Sequence, residues 1–147
     1  MTQQAIARID REFLLIGRYL TAMARRPDQL DRSATTLLTC LEAGGAMSIG
    51  ELSTVLGLEV STLNRQTAAL VRAGLADRIA DPDGGMARKF TITTEGSRRL
   101  REEQQYSRDA LRRLMSDWDE ESLDDFAQAL ERLNAAIEDC SGRRWPR

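Results

Sequence analysis

The sequence predicts a mainly α-helical fold with a small β-hairpin, in which a winged helix-turn-helix lies between long helices at the two ends. Apolar residues recur every three or four positions over most of the 147 residues, which is helical spacing. The spacing changes to alternation near residues 75–79 and 90–93, on either side of a segment rich in turn formers. The composition, 41% hydrophobic and 30% charged, is typical of a single soluble globular domain.

A long first helix is predicted to begin near Ile6 and to end before Pro27, which follows a basic pair at positions 25–26. A second helix is predicted at about 33–42, and two glycines at 44–45 end it. The apolar residues of the first helix form one face: Ile6, Ile9, Phe13, Ile16, Leu20 and Met23.

A helix-turn-helix is predicted next. Ser48 and Glu51 match the S-x-x-E capping box, in which each side chain satisfies a free backbone N–H at the start of a helix. Gly57 then permits a tight turn into another helix, predicted at 59–73. The short helix between them would bury Ile49, Leu52 and Leu56.

The helix at 59–73 has one apolar and one polar side, which suits a helix that enters the major groove of DNA. Such a helix needs short hydrogen-bonding side chains near its N-terminal end and small residues behind them. We expect Arg65 to grip guanine or a phosphate, and we rank Asn64 lower because it lies nearer the buried edge. An ordinary solvated helix face is the alternative interpretation. The candidate base-contacting residues are Ser61, Thr62, Asn64, Arg65 and Gln66.

Two short strands follow Gly74, and turn-forming residues at 81–85 separate them. The loop of this hairpin is the predicted wing, because a flexible tip with a basic pair suits the minor groove. We expect Arg88 to make that contact. An ordinary polar hairpin is the alternative, chiefly for Lys89. Further phosphate contacts are expected from Arg32, Arg72, Arg78 and Lys89.

Two helices are predicted after the hairpin. One, at about 95–118, is strongly charged, with Leu100, Leu111, Leu114 and Met115 as its apolar members. The last helix is capped by Asp119 or Ser122, and its final turn leads into a tail at 141–147 that we expect to be loosely ordered. Its apolar face is the most regular in the chain: Leu123, Phe126, Ala127, Leu130, Leu133, Ile137 and Cys140.

The apolar faces of the first and last helices predict a homodimer. Both helices lie outside the winged-helix unit, predicted at 32–99 of the single domain 1–147, and a small monomer could not easily cover them. Packing of residues 1–26 and 100–141 against a symmetry mate would set two recognition helices ~34 Å apart, which predicts a palindromic DNA site. The alternative is that the two faces pack on each other within one chain.

The composition also excludes function classes. The chain has no histidine, which excludes Ser-His and Cys-His catalysis, and Cys40 and Cys140 form no C-x-x-C pair, so no metal site or cofactor is indicated. We expect Cys40 to be buried rather than redox-sensing. The net charge of −2 argues by itself against a nucleic-acid partner. Without a long apolar segment or a signal peptide, we expect a cytoplasmic protein with no membrane partner and no enzymatic activity.

Over most of its length the chain resembles the MarR family of bacterial transcriptional regulators. The resemblance rests on MSIGELSTVLGLEVSTLNRQTAALVRAGL, followed by DPDG and TITTEG around the hairpin, in this order and spacing. It implies a homodimer with a winged helix on each flank and an inverted-repeat operator, often released by a small phenolic or other lipophilic ligand. Gly84-Gly85-Met86 replaces the Asp-Arg-Arg that is common in the family, so the wing contact is assigned to Arg88.

The residues and the resemblance together predict a sequence-specific DNA-binding regulator, a ligand-responsive repressor. The alternative is a winged-helix module that binds a protein or a small molecule and no operator, which the near-neutral charge of residues 32–99 supports. Four residues could line an effector crevice, although their helical spacing is more typical of plain core: Phe13, Tyr19, Met115 and Trp118.

Overall fold

The computed structural model describes residues 2–22 and 26–147 and has the predicted, mainly helical fold. The fold class is confirmed, and a third short strand joins the hairpin. The predicted end of the first helix, with Met23 and Arg25, lies outside the described residues. In chain order the elements are α1 (Gln3–Ala22), α2 (Arg32–Gly44), β1 (Met47–Ser48), α3 (Ile49–Leu56), α4 (Val60–Arg72), β2 (Ala76–Ile79), β3 (Lys89–Ile92), α5 (Thr94–Leu114) and α6 (Glu120–Ser141).

Side-chain caps fix the starts of the helices that the sequence predicted. The backbone N–H of Ser48 donates to Glu51 Oε2 at 2.8 Å, and the N–H of Glu51 donates to Ser48 Oγ at 3.1 Å, which confirms the capping box of α3. The helix ends at Gly57, whose φ of 66° is the left-handed conformation that glycine adopts most readily. At α6 the cap is Asp119, which accepts from the N–H of Ser122 at 2.8 Å.

The sheet is antiparallel, with the strand order β1-β3-β2. Phe90 in β3 lies opposite Arg78 of β2 and also opposite Met47 of β1. The sequence did not predict β1, because a strand of two residues is too short to show alternation. The loop between β2 and β3, residues 80–88, is the wing of this fold.

The core lies in the winged-helix unit and reaches into α5 through Leu100, which has no exposed surface. The predicted burial of Cys40 is confirmed, and its Sγ lies 3.7 Å from Sδ of Met47. Burial of each large apolar side chain contributes roughly 1.5–3 kcal/mol. The buried apolar residues are Leu30, Leu37, Leu38, Cys40, Leu41, Met47, Leu52, Leu63, Leu70, Leu75, Ala76, Phe90 and Leu100.

Helix α5 ends at Leu114, earlier than predicted, and Trp118 therefore lies in the connection to α6. The cap of α6 explains the difference, because Asp119 needs an extended backbone (φ −76°, ψ 166°) that a continuing helix would not allow. Trp118 packs edge-on against Phe126, with ring centroids 5.5 Å apart.

No described side chain of α1 or α6 is fully buried within the chain. Their apolar faces, as predicted, run along each helix, but each of these residues is 37% to 55% exposed. The two faces consist of Ile6, Ile9, Phe13, Ile16 and Leu20 on α1 and of Phe126, Leu130, Leu133 and Ile137 on α6.

The C-terminal tail, residues 142–147, packs against the winged-helix unit, so the prediction of a loosely ordered tail is wrong. Trp145 is half-buried and packs on the core. Arg147 donates to both carboxylate oxygens of Glu138 in α6, at 2.7 and 3.0 Å. Gly142 and Pro146 correctly indicate the end of the helix, but they carry no information on what the indole ring contacts.

Candidate nucleic-acid interface

The outer face of α4 is open to solvent. Ser61 and Arg65 are exposed on it, while Leu63, Thr67 and Leu70 are buried on the opposite side. The hydroxyl of Thr67 donates to the carbonyl oxygen of Leu63 at 2.7 Å, so the burial of this polar group leaves no unmade hydrogen bond. The packed side of α4 thus faces the core and leaves the polar side available.

Three of the candidate base-contacting residues lie on the edges of α4 rather than on its outer face. Thr62 and Gln66 are half-buried, and Gln66 Oε1 has no hydrogen-bond partner among the described residues. Asn64 is exposed, and it lies nearer the buried side of α4 than Arg65 does. It lies on the edge that faces the wing.

A groove of about 670 Å³ separates α4 from the wing and is open to solvent. Its lining combines apolar side chains with polar and basic ones. Helix α4 and the wing are therefore two sides of one surface, as contact with adjacent grooves of a duplex requires. The lining residues are Ser48, Ile49, Gly50, Asn64, Thr67, Ala68, Val71, Arg72, Arg78, Ala87, Arg88 and Phe90.

The arginines predicted to contact DNA are all exposed. Arg72, Arg78 and Arg88 line the groove, Arg65 lies on the outer face of α4, and Arg32 begins α2. Within the part of the chain that the structure describes, these guanidinium groups form no ion pair with a carboxylate. Their charge is therefore available to phosphate oxygens, which arginine can bind through two parallel hydrogen bonds.

Lys89 differs from these arginines, and its predicted phosphate contact does not fit its surroundings. Its Nζ lies 3.2 Å from Glu51 Oε1 and 3.7 Å from Asp81 Oδ1, and only 13% of its side chain is exposed. The ammonium group therefore joins Glu51, at the start of α3, to Asp81, near the start of the wing. Sequence reasoning missed Glu51, which is 38 positions from Lys89, and Asp81, which lies at the other end of the hairpin loop.

The same contacts shift two pKa values. The N–H of Ser48 and then the ammonium group of Lys89 hold the pKa of Glu51 below its ordinary value. The hydrogen bond to Glu51 and the charge of Asp81 raise the pKa of Lys89. Both groups are thus charged at neutral pH, and the positive charge of Lys89 is neutralised by carboxylates of the same chain.

The wing has a tightly folded tip. Asp81 accepts from the N–H of Asp83 at 2.9 Å, and its carbonyl oxygen accepts from the N–H of Gly84 at 3.0 Å. A methyl group at Gly85 would lie 2.2 Å from Asp81 Oδ2, so the tip has no room for a side chain there. The adjacent Met86 is fully exposed.

The four effector candidates do not converge on one cavity. Phe13 lines a cavity of about 540 Å³ between α1 and α6, together with Phe126. Trp118 contacts Phe126 from outside this lining, Tyr19 is exposed, and Met115 is half-buried at the end of α5.

The described residues form neither a metal site nor a membrane-spanning helix. Among residues 2–22 and 26–147, no group of three or more histidine, cysteine or acidic residues is placed to hold a metal ion. Within the same residues, every helix is too short or too polar to cross a lipid bilayer.

Comparison with known proteins places the chain among bacterial regulators. Residues 30–84 match the profile of the MarR family. An uncharacterised HTH-type transcriptional regulator of Bacillus subtilis, YxaD, is 34% identical over 82% of this chain and 85% of its own. A MarR family protein from Bacillus stearothermophilus has a TM-score of 0.79 at 20% identity, over 93% of this chain and 98% of that one. The Streptomyces coelicolor regulator PcaV, solved with its natural ligand, has a TM-score of 0.58 at 20% identity, over 91% and 92%.

Proposed function

The chain belongs to the MarR family of transcriptional regulators, and from that premise we propose that it is a ligand-responsive repressor that binds a palindromic operator as a homodimer. One observation carries the assignment of the DNA-binding surface: the wing-facing edge of α4, with Asn64 and Arg72, and the basic wing, with Arg88, line the two sides of one open groove. The unpaired arginines make this surface locally positive, although the net charge of the whole chain is only −2.

Residues of this surface take different roles by position. Ser61 and Arg65 face outward and read bases, while Thr62, Asn64 and Gln66 flank them from the edges of α4. Arg88 enters the minor groove, and Arg32, Arg72 and Arg78 bind phosphates. Lys89 is reassigned from phosphate contact to support of the wing, because its charge is already paired.

The half-exposed apolar faces of α1 and α6 support the homodimer. Together they would leave a large apolar surface in water if the chain remained a monomer. Although α1 and α6 border a shared cavity, their contact within the chain leaves each face about half exposed. A second copy covers the remainder. The proposed boundary at residue 99 lies within α5, and Leu100, which belongs to the core of the winged-helix unit, moves that boundary at least one residue further along the helix.

The ligand response rests on the cavity between α1 and α6. Its lining is mainly apolar, with Phe13 and Phe126 supplying aromatic rings and Arg8 supplying positive charge, whereas Arg11 is paired with Glu12 of the same lining at 3.2 Å. A small aromatic acid fits this combination. Because α1 and α6 form the proposed dimer interface, a ligand there would shift the distance between the two α4 helices.

The test is selection of DNA from a random pool by the purified protein, followed by affinity measurements on the selected sequence. We expect an inverted repeat, bound by one dimer with half-sites about 10 bp apart. Arg65→Glu should abolish retention of the repeat, whereas Arg132→Glu, on α6, should retain it. Selection of no sequence, with equal retention by both variants, would favour the alternative of a winged-helix module without an operator.

A further inference from the structure

The C-terminal tail makes a physical connection between α6 and the turn that precedes α4. Trp145 packs on the core of the winged-helix unit, and Arg147 holds the tail to Glu138 at the end of α6. A methyl group at Gly57 would lie 2.7 Å from Cζ of Arg143, so this guanidinium group lies directly on the α3–α4 turn. The tail therefore contacts both the proposed dimer helix and the segment that starts the recognition helix.

A second contact extends this surface to the end of α2. A methyl group at Gly44 would lie 3.2 Å from Cβ of Pro146, so the proline ring packs closely on the last residue of that helix. Glycine at position 44 thus leaves room for the proline ring. A lowered pKa at Glu138, caused chiefly by Arg147, keeps the carboxylate of this connection ionised at neutral pH.

The other described connections to the winged-helix unit both involve α5. This helix is continuous from the sheet towards α6, and Leu100 anchors its first turns in the core. The segment before α2 is held by Arg26, which binds Glu103 at 2.9 Å and stacks 3.6 Å from the Tyr106 ring centroid. Because Glu103 and Tyr106 are themselves on α5, this second attachment does not resist bending of α5.

We propose that the C-terminal tail is a strap that fixes the orientation of the winged-helix unit against α6 and so sets the half-site spacing that the dimer accepts. The strap is independent of α5, because it runs from α6 to the α3–α4 turn. A body held by α5 alone can swing about that helix, whereas a second, separate attachment restricts the swing. Trp145 is a positioning residue in this arrangement and touches no DNA. The inference rests on the proposed binding of an inverted repeat by a homodimer.

The test measures affinity against half-site spacing. Duplexes carry the selected half-site twice, with the separation varied by up to 2 bp in either direction. For the wild type we expect at least about tenfold preference for one spacing, and for Trp145→Ala a preference of about threefold or less with single half-site affinity unchanged. Trp145→Phe should restore most of the preference, since a phenyl ring still fills the contact.

Val55→Ala is the matched control, because Val55 is a half-buried residue packed on the same core but lies outside the tail. All variants are measured at a temperature where circular dichroism shows each to be folded. Loss of stability alone would lower affinity equally at every spacing in both Val55→Ala and Trp145→Ala. An unchanged spacing profile in folded Trp145→Ala would overturn the strap while leaving the operator proposal intact. A wild type with no preferred spacing would overturn both.

Discussion

The adjacent cations Arg88 and Lys89 should contribute differently to DNA binding, although they have the same charge. Arg88 is exposed and unpaired in the described structure, whereas Lys89 is held by Glu51 and Asp81. Each cation that displaces a condensed counterion adds about 0.9 to the slope of log affinity against log salt. Arg88→Ala should therefore lower the magnitude of the slope by about 0.9. When the salt concentration rises fourfold, the fold loss of affinity should then be about 3.5 times smaller for this variant than for the wild type.

The affinity for a labelled operator duplex is measured by fluorescence anisotropy at salt concentrations between about 50 and 200 mM, the range over which counterion release is evaluated. The control is the double substitution Glu51→Gln with Lys89→Met, which removes one charge of each sign and leaves the local net charge unchanged. We expect this double variant to keep the wild-type slope. The reasoning is wrong if it loses as much slope as Arg88→Ala, because Lys89 must then leave its carboxylate partners to bind a phosphate.

Three further predictions concern the fold that supports the interface. A methyl group at Gly96 would lie 2.1 Å from the carbonyl oxygen of Leu75, so Gly96→Ala should lower the free energy of unfolding, measured by urea titration, by about 1–3 kcal/mol. Gly50→Ala is the control: the nearest atom to its methyl group would be 3.8 Å away, and the substitution should not lower the free energy of unfolding. Burial raises the pKa of the Cys40 thiol and covers it. In a Cys140→Ser background, iodoacetamide at about pH 8 should therefore label Cys40 only after the protein unfolds. Rapid labelling of the folded protein would contradict this expectation. Because the pKa of Glu51 is lowered in the folded state, its carboxylate stabilises the fold above its ordinary pKa of 4.5, and this stabilisation is lost as the pH falls through the lower folded-state pKa. The difference in melting temperature between wild type and Glu51→Gln should therefore disappear towards about pH 3. A difference that grows in acid would refute this prediction.

The helices and the outer face of α4 could be predicted because both depend on nearby residues. The capping box joins Ser48 to Glu51 within one turn, and the spacing of Leu63, Thr67 and Leu70 defines which side of α4 packs. The opposite side then follows from helix geometry alone. The exposure of Asn64 does not follow from helix geometry, because Asn64 lies at an edge, where burial depends on whether a neighbouring element covers it. At this edge the wing leaves an open groove.

The internal neutralisation of the wing could not be predicted, because the atoms that decide it are distant in sequence. Glu51 and Lys89 are 38 positions apart and meet only when β1 pairs with β3, which places Ser48 opposite Lys89. That pairing involves two residues per strand, too few to produce a visible pattern. A basic pair in a loop is therefore compatible with two DNA contacts or with one contact and one internal ion pair, and only the tertiary register distinguishes them.

The Lys89 ion pairs and the C-terminal tail have one physical property in common: both connect the helix-turn-helix to another element of the fold. Lys89 ties the wing to α3, while in the tail that follows α6 Arg143 lies on the turn before α4 and Trp145 packs on the core of the winged-helix unit. A dimer that reads two half-sites gains specificity only if its two reading surfaces are held at a fixed separation, because free rotation lets each surface find its half-site at several spacings. Residues that never touch DNA can therefore determine which operators are accepted, and their substitution should change selectivity more than single-site affinity.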